Sequence, residues 1–158
     1  MSVENVRAYL APYGLEERVM EFEVSSATVE LAAEALKTQP ARIAKSLTFY
    51  AKDSGCLLIV TAGDQKIDNT KFKALFGCKA KMMSVDDALS FTGHAVGGVC
   101  PFALPEGVAV YLDQSLQRFD TVYPAAGSAS SAARLNCDEL FTSSQAIAWI
   151  DVCKSREV

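Results

Sequence analysis

Eight residues, CLLIVTAG at 56–63, restrict the fold more than any other stretch of the chain. They form a continuous apolar run, bounded by Gly55 and Gly63, of the kind that suits a strand buried on both faces. Just before it, KSLTFYA at 45–51 changes to period two. Leu47, Phe49 and Ala51 share one face, and Ser46, Thr48 and Tyr50 share the other. Only AKDSG connects the two runs, which predicts an antiparallel hairpin.

Around this hairpin the pattern alternates irregularly. Val3, Val6, Leu10 and Tyr13 fall at helical spacing after a Ser2 cap, with Gly14 as the stop. VMEFEV at 19–24 alternates as a strand. Val29, Ala32, Ala33 and Leu36 make a helical stripe behind Ser and Thr caps, limited by Pro40. Asp68 or Asn69 can cap a helix through Phe76, closed by Gly77. Ser84 can cap another, with Asp86 and Asp87 placed to stabilise its first turn. VAVYLD, FDTVYP and SAARLN read as short strands, and CDELFTSSQAIAWIDVC as one or two terminal helices. Strands and helices do not alternate regularly, so the expected class is α+β, in one domain spanning residues 1–158 without a linker.

Composition narrows the function. The chain is 50% hydrophobic and 22% charged, as an ordinary globular domain is. It has no apolar run near the roughly 20 residues that span a bilayer, and no secretory signal pattern. The expected location is therefore cytoplasmic. Five cysteines, none closely paired, and a single histidine argue against a disulfide framework and a zinc site. Net charge is −4, yet Lys66, Lys71, Lys73, Lys79 and Lys81 face Asp68 alone, a local balance of +4. Such an island either receives a phosphate backbone or is a solvated helix face.

No dinucleotide or phosphate-loop glycine pattern is present, and no Gly-x-Ser-x-Gly. Chemistry is instead suggested by TGHAVGGVCPFALPEG at 92–107, which combines the turn chemistry of a loop with much of the apolar character of a core. Gly97 and Gly98 allow unusual backbone conformations and close approach by a ligand, while Pro101 biases Cys100 toward an extended form. Free N–H groups walled by Val96, Val99, Phe102 and Leu104 would suit an anionic or carbonyl oxygen; a buried structural crossover reads equally well. Cys100 and His94 form a conceivable nucleophilic pair, but no third group to orient the imidazole is evident. Lys45 shares the inward face of Leu47 and Phe49. It either snorkels outward or holds something anionic or carbonyl-like.

In this order and spacing, IAKSLTF, TGHAVGGVCPFALP and FDTVYPAAGS resemble the YbaK and prolyl-tRNA synthetase-associated editing-domain family, over roughly Val3 to Leu140. The resemblance implies a mixed, largely antiparallel, barrel-like sheet surrounded by helices. It implies hydrolysis of the ester of mischarged tRNA, chiefly proline tRNA carrying cysteine or another small amino acid. It assigns the essential lysine to Lys45 and the substrate-shaping loop to Gly97, Gly98, Val99, Cys100 and Pro101. Gly127 and Ser128 match a second small-residue loop. No side-chain nucleophile, metal or organic cofactor is implied; water attacks with help from the substrate's own hydroxyl or thiol. The implied partners are mischarged tRNA and prolyl-tRNA synthetase, and on this reading the charge island of Lys66, Lys71, Lys73, Lys79 and Lys81 gains weight as a contact for the acceptor stem. Cysteine-clearing members carry Gly-Gly-Ile-Ser-Pro where Gly-Gly-Val-Cys-Pro stands here, so the amino acid removed is left open. Two readings compete with catalysis: a non-catalytic module binding charged tRNA or the synthetase, and a thiol redox protein using Cys100, which lacks a nearby resolving cysteine.

Overall fold

The computed structural model describes residues 2–156. In chain order the elements are α1 (Val3–Leu10), β1 (Val19–Glu21), α2 (Val29–Leu36), β2 (Ile43–Tyr50), β3 (Cys56–Ala62), β4 (Gln65–Ile67) and α3 (Asn69–Phe76). There follow α4 (Val85–Thr92), β5 (Val108–Asp113), β6 (Tyr123–Pro124), β7 (Ser131–Ala133), α5 (Cys137–Ser143), β8 (Ala148–Ile150) and β9 (Cys153–Ser155). The fold is α+β.

All seven residues of β3 are buried, and β2 pairs with it antiparallel from Ala44↔Ala62 to Tyr50↔Cys56, forming the expected hairpin. The hairpin sits inside a five-stranded sheet ordered β6-β2-β3-β5-β8. Side chains of β3 alternate between two cores. Leu58, Val60 and Ala62 pack with Val6 and Leu10 of α1 and Leu140 of α5. Leu57 and Ile59 pack with Phe49 and with Phe72 of α3. That second face is tied by an aromatic chain, Phe49–Phe72–Phe76–Tyr111, with successive centroids 5.1, 4.8 and 5.2 Å apart. Each such pair adds about 0.5–1.5 kcal/mol beyond its burial.

Helix starts follow the cap chemistry. Ser2, Thr28 and Ser84 accept from the N–H groups of Asn5, Leu31 and Asp87, and Asp68 accepts from both Thr70 and Lys71. Each cap is worth about 1 kcal/mol.

Three expectations change. Within the five-stranded sheet only the β2–β3 ladder is antiparallel, whereas β2–β6, β3–β5 and β5–β8 are parallel; the other antiparallel pairing lies in the ribbons β1–β7 and β4–β9 and in the Phe49–Met82 and Val122–Leu135 bridges. The long excursions at 63–107 and 114–147 supply the crossovers that parallel pairing requires. The five-stranded sheet is also open, since among the described residues no ladder joins β6 to β8. Edge strand β6 is two residues long, and Pro124 has no N–H to donate. Finally, VMEFEV shrinks to a three-residue strand with Val24 62% exposed, and only the first part of the terminal segment is helical. After Gln145, at φ 54°, the Ile147 N–H binds the Val110 carbonyl and starts β8 on the free edge of β5. Among the described residues no helix is long and apolar enough to cross a membrane.

Candidate active site

The outer edge of β2 is only partly covered. Its ladder with β6 ends at Ala44, and the next bonds across that edge are Met83 N–H to Thr48 O and Tyr50 N–H to Lys81 O, each 3.0 Å. Between these lies a cavity of about 320 Å³, lined by Ala44 to Leu47 of β2. Its walls are Thr28, Val29 and Ala32 from the start of α2, Val96, Gly97 and Val99 from the glycine loop, and Ala125, Ser131 and Ala132 opposite. The lining is largely apolar with a few polar groups, the composition of a small-ligand site.

Lys45 enters from β2, half-buried, and its ammonium donates to the main-chain carbonyl of Gln65. Burial first, and then the Arg156 guanidinium, push it below the ordinary lysine value. The carbonyl that holds it belongs to β4, which is secured by the β9 ribbon. It is neither a freely snorkelling lysine nor one neutralised by a carboxylate: among the described residues it makes no ion pair within 4 Å.

The glycine loop approaches from the other side. Gly97 has φ +84°, and a Cβ there would lie 3.0 Å from Ala129 Cβ and 3.1 Å from Ala27 Cβ. Gly98 needs no positive φ; it is required by contact. A Cβ on it would lie 2.9 Å from Gly127 C and from Ser128 N and Cα, so the two loops touch backbone to backbone. Gly98 N–H is spent on Ala95 O at 2.9 Å, which leaves Gly97 and Val99, both lining the cavity, to offer N–H groups to a ligand. The opposing loop is organised by Ser131, whose hydroxyl accepts from Ala126 N (3.3 Å) and Ser128 N (3.2 Å) and donates to Ser128 O (3.2 Å). Sequence reasoning missed Ser131. Only its place in a serine-rich stretch beside Gly127 hinted at it.

Cys100 does not border the cavity. Its side chain is fully buried, with Sγ 3.5 Å from His94 Nε2 and 3.9 Å from Phe102 O. The loop therefore does bring thiol and imidazole together, but not as a nucleophile and base. A carbonyl only accepts, so the 2.8 Å contact from His94 Nε2 to Phe102 O places the ring proton on Nε2, and that nitrogen cannot take a proton from the sulfur. Burial pushes the thiol up to about 12 and His94 below its usual range. Pro101 is buried as well and faces a different hollow, beside Tyr9 and Leu104. Of the loop assigned by resemblance, Gly97 and Val99 line the cavity, while Gly98 packs against the backbone of Gly127 and Ser128.

The lysine island is not one surface. Lys71 binds Asp151 (2.9 Å) and the Cys153 carbonyl (2.9 Å). Lys66 stands opposite Lys154 on the β4–β9 ribbon. Lys73 and Lys79 line a separate groove, and Lys81 lies over the Tyr50 ring. Among the described residues no three His, Cys, Asp or Glu side chains converge as a metal set would.

Comparison with known proteins gives this geometry a context. Residues 23–142 match the family model for the aminoacyl-tRNA editing domain. The chain is 51% identical over 157 residues to "Uncharacterized protein YwhH" of Bacillus subtilis, covering 99% of this chain and all of that one. It is 29% identical over 101 residues to the "Putative Cys-tRNA(Pro)/Cys-tRNA(Cys) deacylase EbsC" of Enterococcus faecalis, covering 63% of this chain and 62% of that protein. A solved structure described as "a putative trans-editing enzyme for prolyl tRNA synthetase" superposes with a TM-score of 0.87 at 26% identity, covering 97% of both chains. The match spans most of the chain and includes both walls of the cavity: the chain belongs to the aminoacyl-tRNA editing domain family.

Proposed function

We propose that this protein is a trans-acting aminoacyl-tRNA deacylase that hydrolyses the ester of mischarged proline tRNA. The observation that carries the reading is the meeting of Lys45 with the Gly97 and Val99 backbone at one small, mostly apolar cavity. Lys45 holds the 3′-terminal nucleotide through its phosphate, ribose or ester oxygen. The loop N–H groups polarise the ester carbonyl, where each well-placed donor is worth about 2.7–4 kcal/mol of transition-state stabilisation. Water adds to the carbonyl carbon as the terminal ribose hydroxyl takes its proton and releases its own, which is passed to the ester oxygen as that oxygen leaves. The bond from that carbon to the ribose oxygen is thereby broken, and free amino acid and tRNA leave. This route needs no cofactor.

Val29, Ala32 and Val99 crowd the cavity, whose volume is at the low end of the roughly 300–1,000 Å³ typical of ligand sites. That size supports a small amino acid, cysteine or alanine in class, and the names of the relatives support cysteine on proline tRNA and an association with prolyl-tRNA synthetase. Time courses with excess proline tRNA charged with cysteine, alanine, serine or threonine test the proposal. Turnover beyond one equivalent supports a deacylase. Protection or sequestration without release of amino acid would make the chain a binding module.

A further inference from the structure

We infer that Lys52, Lys73, Lys79 and Lys81 form the track that receives the phosphates of the substrate's acceptor stem, and that Lys66 and Lys71 lie outside it. The inference rests on the deacylase reading for its occupant. The uncovered edge of β2 begins at the cavity and ends where the segment after α3 crosses it, at Met82 opposite Phe49. From Lys45 to Leu47 that edge is open, roughly 7 Å at a strand's rise, before the segment that carries Lys81 closes it at Thr48 and Tyr50. Lys81 stands at its far end, Nζ 5.4 Å from the Tyr50 ring centroid. Just beyond opens a groove between α3 and the following segment, lined by Asn69, Thr70, Lys73 and Lys79 with two alanines and no acid. Lys52, from the β2–β3 turn, joins the same end: its Nζ would lie 3.6 Å from a Cβ on Gly77.

None of these four lysines makes an ion pair within 4 Å among the described residues. Two of the neighbouring acids are occupied, Asp53 with the Gly55 N–H of its own turn and Asp87 with the Tyr50 hydroxyl; Asp86 is exposed. The ribbon that carries Lys66 is balanced differently. Lys71 is spent on Asp151, Lys154 and Lys71 both act on Asp68, and Arg118 closes on Asp64 at 2.6 Å. A nucleic acid whose 3′ end sits beside Lys45 can leave along the open edge of β2.

The test is equilibrium binding of uncharged proline tRNA as a function of salt, with Lys52→Gln, Lys73→Gln, Lys79→Gln and Lys81→Gln set against Lys66→Gln and Lys71→Gln. Circular dichroism verifies that each variant is folded. Each track variant should flatten the log-affinity against log-salt slope by about 0.7–0.9, and the other two should keep the wild-type slope. Unchanged slopes in all four track variants, or flattening by Lys66→Gln or Lys71→Gln, overturn the inference. So does loss of binding to purified prolyl-tRNA synthetase with tRNA binding intact, which would make the groove a protein-docking surface. Uncharged tRNA reports binding without hydrolysis, so failure here leaves the deacylase reading standing, and failure of deacylation leaves this test valid.

Discussion

Replacing Gly98 by alanine places a methyl carbon 2.9 Å from three backbone atoms of Gly127 and Ser128. Ordinary contact begins near 3.4 Å, so the two loops must separate by about half an ångström. No flexible side chain can yield in their place. Overpacking of this kind costs about 1–3 kcal/mol, which for a chain of this length lowers Tm by roughly 2–12 °C. The functional loss should be larger than the stability loss implies, because the displaced segment carries Val99, whose N–H faces the ester in our account. Misplacement by about 1 Å is enough to cost on the order of 100-fold in rate. Gly107→Ala serves as the control. Gly107 has φ +95° with nothing within 4 Å of a Cβ, so alanine there strains the backbone without touching the site. Single-turnover hydrolysis on folded protein, measured with thermal melting, should show both variants destabilised and only Gly98→Ala slowed, for every amino acid tested. Wild-type hydrolysis by Gly98→Ala would refute the idea that this contact sets the position of the loop.

Other outcomes follow from the same geometry. His94 titrates below its ordinary 6.5 because it is buried, so as pH falls through 6.5 the unfolded chain takes up a proton that the folded one refuses. Stability should therefore drop between pH 6.5 and 4.5, above the range where carboxylates such as Glu30 begin to protonate, and His94→Gln should remove that slope in denaturant titrations. An unchanged slope would assign the effect elsewhere. The Cys100 thiol, raised to about 12, should resist alkylation at pH 8 until the protein unfolds, whereas the half-exposed Cys78 reacts in the native state. Cys100→Ala should lower Tm and leave the ranking of amino acids unchanged; a reordered ranking would mean that this side chain does reach the substrate.

The sequence made some of this plain and concealed the rest for physical reasons. The β2–β3 hairpin was legible because seven consecutive register pairs impose a periodicity long enough to read. So were the caps at Ser2, Thr28, Asp68 and Ser84, whose hydrogen bonds span only two or three residues. Lys45 stood out by parity, an effect local to its strand. By contrast, β8 and β9 are three residues each, too short for any period, and they exist because other strands offer them free edges. Parallel pairing depends on where a crossover returns, which neighbouring residues do not encode. The charge island looked continuous until Lys71 met Asp151, 80 positions away. Cys100 pointed inward because His94 and Phe102 supply a buried partner set that spacing alone cannot orient.

The central claim is that Lys45 and the facing glycine loop together break an aminoacyl ester. It is tested most directly by single-turnover hydrolysis of proline tRNA charged with cysteine or alanine, comparing wild type with Lys45→Ala and recording the melting curve of each. Lys45 is half-buried, desolvated and without an ion pair within 4 Å among the described residues, so its removal should leave Tm close to wild type. The account predicts that the folded variant loses essentially all hydrolysis of both esters; hydrolysis at the wild-type rate by folded Lys45→Ala would contradict it.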